Sequence, residues 1–224
     1  FPYIELDGQH YRYQTAKGEQ QEQLLDDGSH IVLNTNTIVE ITYDKKQRRI
    51  ELLQGEAFFD VKKEDRPFDV VTQAGMVRVL GTHFSVHRTV SDVQVTVVEG
   101  QVGLGAQPVA AEQFIPAAIL QANQRLTLAR ALAGEAPETV DPRSALAWRK
   151  KQLVFKGQRL QVVIDELNRY LPNPIQLADP ALGQMEITAV IQLADPQTSL
   201  RALAQSLGLT LDIDAGSKVY TLHQ

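Results

Sequence analysis

Apolar and polar residues alternate through much of the first 130 positions. Val93-Gln94-Val95-Thr96-Val97 places its apolar side chains on odd positions, and Val77-Arg78-Val79 does the same. A period of two marks a strand with one buried face. Further β-prone runs are Ile31–Leu33, Ile38–Tyr43 and Ile50–Leu53. Asp7-Gly8 and Asp26-Asp27-Gly28-Ser29 read as tight turns, and Gly55, Gly75, Gly81, Gly100 and Gly103 punctuate the runs between them. No apolar helical stripe longer than two turns competes. The pattern predicts an all-β module of many short strands, as a sandwich, a barrel or an irregular solenoid.

The period changes after a stretch rich in Ala and Pro. Residues 129–147 read as a linker, with one helical turn near Ser144–Trp148. Beyond it Leu160, Val163, Ile164, Leu167 and Leu171 form one helical stripe, ended by Pro172-Asn173-Pro174. A second helix begins with Asp195 as N-cap and Pro196 in its first turn. It carries Leu200, Leu203, Ala204 and Leu207, and it ends at Gly208. Strands are expected at Leu153–Phe155, Ile175–Leu177, Ile187–Ile191, Leu209–Ile213 and Val219–Leu222. The expected organisation is therefore two modules. Residues 1–128 form the all-β module, 129–147 the linker, and 148–224 a small α+β module with duplicated β-α-β units. The linker leaves the two modules free to move.

Composition narrows the functional classes. The chain has 224 residues and a net charge of −5. An acidic surface with 6% aromatic residues argues against nucleic acid as a partner. The same scarcity leaves no aromatic platform for a carbohydrate. The absence of cysteine excludes disulfides, thiolate metal sites and cysteine nucleophiles. No apolar run reaches the length of a membrane span. The start at Phe1-Pro2-Tyr3, without Met, reads as an excised fragment.

Few residues suggest chemistry. His83 and His87 are four apart in a strand-like run, about 13 Å at ~3.3 Å per residue, so no metal site is expected. The acidic pairs Asp26-Asp27 and Glu64-Asp65 lie in turns. Gly103-Leu104-Gly105 lacks the third glycine and following helix of a dinucleotide loop. No cofactor is expected. Gly81-Thr82 is the exception. A Thr hydroxyl can attack the preceding carbonyl where the backbone is strained, giving an ester that water hydrolyses. The structural alternative is a glycine break that re-aims the strand.

Several blocks carry a family likeness. They are Leu25-Asp26-Asp27-Gly28-Ser29, Arg49–Val61 with its Leu53-Gln54-Gly55-Glu56-Ala57-Phe58-Phe59, and Arg66-Pro67-Phe68-Asp69-Val70. Val77–Val86 with Leu80-Gly81-Thr82-His83-Phe84 and Val97-Val98-Glu99-Gly100 complete the set. In this order they resemble the periplasmic part of FecR-type anti-sigma regulators, over about 18–104. Ala147-Trp148-Arg149, Leu153-Val154-Phe155 and Glu166–Tyr170 are similar to the end of such proteins and to the small secretin-and-TonB N-terminal domain. The layout is similar to that of the pseudobactin and ferrioxamine regulators.

The resemblance implies a periplasmic sensor in a Gram-negative bacterium, anchored by one inner-membrane helix absent from this chain. It implies binding to the N-terminal signalling domain of a TonB-dependent siderophore transporter, and control by a periplasmic protease. A sigma factor would be held only by an N-terminal segment not present here. The resemblance implies no enzyme, except that some members cleave their own chain at a Gly-Thr pair, which makes Gly81 and Thr82 the candidates for self-processing. Partner binding is expected at exposed strand edges, Glu186–Val190 and Lys218–Thr221, with Ile187, Ala189, Lys218 and Tyr220 as contact residues.

Overall fold

The computed structural model describes residues 9–109, 113–213 and 219–223. It divides into two compact units, one of residues 1–16 and 20–142, the other of residues 17–19 and 143–224. The expected turn at Asp7-Gly8 lies outside the described residues.

Among the described residues, the first unit contains thirteen strands. They are β1 (Gln9–Gln14), β2 (Gln21–Leu24), β3 (His30–Leu33), β4 (Ile38–Tyr43), β5 (Arg48–Asp60), β6 (Phe68–Thr72) and β7 (Gly75–Val79). β8 (His83–Arg88), β9 (Val93–Glu99), β10 (Gln101–Gly105), β11 (Ala118–Gln121), β12 (Gln124–Thr127) and β13 (Glu138–Thr139) follow. All belong to one curled sheet. β5 is what joins its two layers. Its first half pairs with β4 and β6, and its second half pairs with β3 and β8. One layer runs β1-β4-β5-β6-β7-β10-β11, and the other β2-β3-β5-β8-β9-β12-β13.

The strand turns from one layer to the other at Gly55, with φ +83°. A Cβ there would lie 2.6 Å from Thr37 Cα, so only glycine fits. Between the layers, the alternating residues meet as expected. Ile31, Leu33, Ile41, Ile50, Leu52, Phe59, Phe68, Val77, Phe84, Val95, Val97, Val102 and Leu104 share one buried core. Phe59 stacks on Phe84 at 5.1 Å between ring centres and meets Phe68 edge-on at 5.8 Å.

The segment read as the start of a linker is structured. Helix α1 (Leu128–Leu132) is capped by Thr127 and buries Leu128 and Ala131 in the same core. β13 then pairs with β12. The burial of Leu128 fixes this stretch, although its Ala-rich composition reads as a tether.

In the second unit, helix α2 (Pro142–Ala145) leads through a 3₁₀ turn at Ala147–Lys150 to β14 (Gln152–Arg159), helix α3 (Leu160–Asn168) and β15 (Ile175–Leu177). β16 (Glu186–Gln192), helix α4 (Pro196–Ser206), β17 (Thr210–Ile213) and β18 (Tyr220–His223) complete it. The helical stripes are buried as read: Leu160, Val163, Ile164 and Leu167 on α3, and Leu200, Leu203 and Ala204 on α4. Asp195 caps α4, accepting a hydrogen bond from Thr198 N at 3.1 Å, and Gly208 follows with φ +68°.

The order β-α-β then β-α-β-β holds along the chain, but the two halves interleave. β14 pairs antiparallel with β16, while β15 pairs parallel with β18, which also pairs with β17. Neither half forms a parallel β-α-β unit by itself. Among the described residues, no helix is long and apolar enough to cross a membrane.

Candidate functional site

Gly81 and Thr82 lie between β7 and β8, and neighbouring backbone ties them on both sides. Val61 N donates to Thr82 O at 3.1 Å, and Glu64 N donates to Leu80 O at 3.1 Å. The Thr82 side chain is buried, and its hydroxyl donates to Gln101 O at 3.0 Å. A Cβ on Gly81 would sit 2.8 Å from Lys63 Cα, so this glycine permits the 61–66 loop to press against the junction. Gly81 is not among the positive-φ glycines. The glycine is therefore required by crowding and not by left-handed strain.

His83 follows at once. Its Nε2 lies 2.8 Å from Asp60 Oδ1 and its Nδ1 3.2 Å from Glu99 Oε2, so both ring nitrogens face carboxylates on the flanking strands. His87 is half-buried on the same strand. Among the described residues, no group of histidines and carboxylates has the geometry of a metal site. An acyl shift at this bond needs the Thr82 hydroxyl to leave Gln101 O and reach the Gly81 carbonyl carbon. The folded arrangement holds the hydroxyl in another bond.

Beneath the junction sits a buried ion pair that the sequence reading did not single out. Arg48 Nη1 donates to Asp27 Oδ2 at 2.8 Å, with the two side chains 0% and 1% exposed. The same nitrogen donates to Lys62 O at 2.9 Å. Nη2 donates to Arg66 O at 2.8 Å and lies 3.5 Å from Leu80 O. The guanidinium covers the Phe68 ring at 5.3 Å.

Asp27 also accepts from Ser29 N at 3.0 Å, Ser29 Oγ at 2.7 Å and Tyr43 OH at 3.2 Å. Burial opposes its ionisation, but the Ser29 bonds and the Arg48 cation outweigh burial and hold its pKa below the ordinary value. Tyr43 shifts the other way, because burial and the Asp27 charge both disfavour a phenolate. One signal for this pair was in the pattern. Arg48 shares the parity of Ile50 and Leu52, so the alternation already placed it on the buried face.

A cleft of about 450 Å³ opens beside the junction, on the face of the sheet opposite the core. Arg78, Leu80, Gly81, Phe114, Pro116 and Ile119 are among its lining residues. Arg78 is fixed there by a two-pronged bond to the buried Asp69, at 2.6 and 2.7 Å, and it covers the Phe114 ring at 5.0 Å.

Gly103-Leu104-Gly105 finds its reason here. A Cβ on Gly103 would lie 3.3 Å from Phe114 and Pro116, and one on Gly105 would lie 3.0 Å from Phe114 and 2.9 Å from Ile115 O. The two glycines make a seat for Phe114, which the sequence reading had no means of pairing with them.

The candidate partner residues fall in different settings. Among the described residues β16 pairs with β14 alone, so no strand lies along its other side. Ala189 is half-buried on it, but Ile187 is buried in the core and cannot be a surface contact. β18 is corrected outright. It is the central strand of its sheet, flanked by β15 and β17, and Tyr220 is buried. Alternation marks a buried face but does not say which strands lie alongside. Lys218 lies outside the described residues.

Comparison with known proteins places the first unit. Residues 11–103 match the family described as FecR protein. Two crystal structures of a proposed anti-sigma factor from Parabacteroides distasonis share the fold. The one at 2.50 Å resolution gives a TM-score of 0.75 and the one at 1.65 Å gives 0.73, each at 24% identity over 96% of this chain and 99% of that one. No curated protein sequence matches the chain.

Proposed function

We propose, from a chain whose residues 11–103 match the family described as FecR protein, that this protein is the sensing region of a FecR-type anti-sigma regulator. The observation that carries the reading is the coincidence of that family match with a whole-chain likeness, at a TM-score of 0.75, to a proposed anti-sigma factor. A regulatory role tied to anti-sigma factors follows from the two together. The finer assignment is that the chain works in the periplasm and receives its signal from the N-terminal signalling domain of a TonB-dependent siderophore transporter. A sigma factor would be held by a segment outside this chain, and a protease would end the signal.

β16 supplies the docking edge in this reading. Its free backbone groups pair with a strand of the signalling domain, and Ala189, Thr188 and Val190 sit along the contact. Val190 is exposed and Thr188 faces solvent, which supports a surface able to accept a neighbour. Calorimetric titration of the chain with the transporter's signalling domain tests the reading. Micromolar binding that Val190→Pro abolishes, with the fold retained, is the expected result. An unchanged affinity in that variant would remove β16 from the interface, and no binding to a folded signalling domain would remove the transporter as partner.

The second reading, self-processing at Gly81-Thr82, is kept for the proximity of His83 and its carboxylates to that bond. The Thr82 hydroxyl's bond to Gln101 O and the absence of left-handed strain at Gly81 weigh against it. Intact mass under denaturing conditions decides between them.

A further inference from the structure

Among the described residues, four strands of the first unit end a layer: β1, β2, β11 and β13. A strand in that position offers unpaired N–H and C=O groups to any other strand, and proteins ordinarily guard it with charge. β1 carries Arg12, β2 carries Glu22 and β13 carries Glu138. β11, Ala118-Ile119-Leu120-Gln121, carries none.

The contrast extends around it. Residues 101–124 hold a single charged residue, Glu112, where 24 residues at the chain's 22% would hold about five. Apolar side chains also collect at this edge. Ile119 is 55% exposed and Leu80 53%, Ile115 is exposed further along, and the cleft under Phe114 and Pro116 joins them. Arg78 cannot swing out to guard the edge, because Asp69 holds it at 2.6 and 2.7 Å.

We propose that β11 is a homodimer edge, pairing antiparallel with β11 of a second copy of this chain. The occupant follows from complementarity. An uncharged edge with an outward apolar residue needs a partner strand of the same description, and the chain carries that strand itself. A twofold axis at Ile119 sets the register. Ile119 then faces its counterpart on the outer side, while Ala118 lies opposite Leu120 on the core side, so both layers keep their sides across the joint. The contact is isologous and closes at two copies, because the twofold axis sets the same edge of the first unit against itself. This proposal does not depend on the sensing role proposed above.

Sedimentation equilibrium of the 224-residue chain, up to hundreds of micromolar, tests it first. The expected result is a concentration-dependent rise from the 24.9 kDa monomer to about twice that mass. Ile119→Lys weakens that association about tenfold or more, by placing two ammonium groups together, and leaves the melting temperature unchanged.

The lack of native cysteine gives a second reading that does not rely on a charge. Ile119→Cys forms a covalent dimer under mild oxidation, while Leu24→Cys, exposed on the guarded β2 edge, does not. A chain that stays monomeric throughout overturns the proposal. So does a dimer that Ile119→Lys leaves intact, or one in which both cysteine variants cross-link equally.

Discussion

Arg48 and Asp27 meet at 2.8 Å with neither side chain open to solvent, and the guanidinium also binds the carbonyls of Lys62 and Arg66. The pair thereby links the turn at residues 26–29 to the loop at 61–66. Removing one partner leaves the other charged and buried. Asp27→Asn is expected to cost about 3–5 kcal/mol, and Arg48→Met a similar amount. The double variant Asp27→Asn/Arg48→Met is expected to cost less than the sum, because it leaves no orphan charge. Urea unfolding of the three proteins gives the coupling. Additive losses would mean that the two residues act separately.

Acid should act through the same carboxylate. Asp27 has its folded pKa lowered despite the opposing effect of burial, through the Ser29 bonds and the Arg48 cation. Its contribution is present above the unfolded value, about 4, and is lost as pH falls through the lower folded value. The stability of the native chain is expected to drop below about pH 4 more steeply than that of Asp27→Asn. Parallel slopes in thermal melts from pH 5 to 2 would assign the acid loss to other carboxylates.

The Gly81-Thr82 junction gives a third test. The purified chain is expected to run as one species of 24.9 kDa under denaturing conditions, because the Thr82 hydroxyl is engaged with Gln101 O. Two fragments meeting at that bond would reverse the assignment in favour of self-processing. Gly81→Val is expected to destabilise by about 1–3 kcal/mol, since its Cβ meets the Lys63 backbone at 2.8 Å. A variant as stable as the native chain would show that the loop at 61–66 yields freely.

Phe114 offers a local readout. Gly105→Val is expected to unseat it, since any Cβ there meets the ring at 3.0 Å and Ile115 O at 2.9 Å. Chymotryptic cleavage after Phe114 should then quicken, alongside a loss of about 1–3 kcal/mol from the backbone contact. An unaltered cleavage rate would mean that the ring stays seated without the glycine gap.

Much of this architecture could be read from the chain, and the missing parts share a cause. The Val93–Val97 alternation, the two helical stripes, the Asp195 cap and the Gly208 stop are local signals, and each appears where its period places it. Relations across sequence distance were not legible. Arg48 and Asp27 are 21 residues apart, and Phe114 reaches glycines nine and eleven positions before it. The central place of β18 depends on β15, a strand more than forty residues upstream. The Ala-rich stretch after residue 128 misled for a related reason. Leu128 and Ala131 are buried by a core assembled from distant strands, which composition alone does not register.

The strand that serves both layers has a mechanical consequence. β5 bonds to β4 and β6 with one half and to β3 and β8 with the other. Neither layer can shed its centre without taking the other's. The first unit should therefore fail as a single event, with the slowest-exchanging amides strung along Arg48–Asp60 on either side of Gly55. A backbone break at that glycine would leave two incomplete sheets instead of two smaller folds.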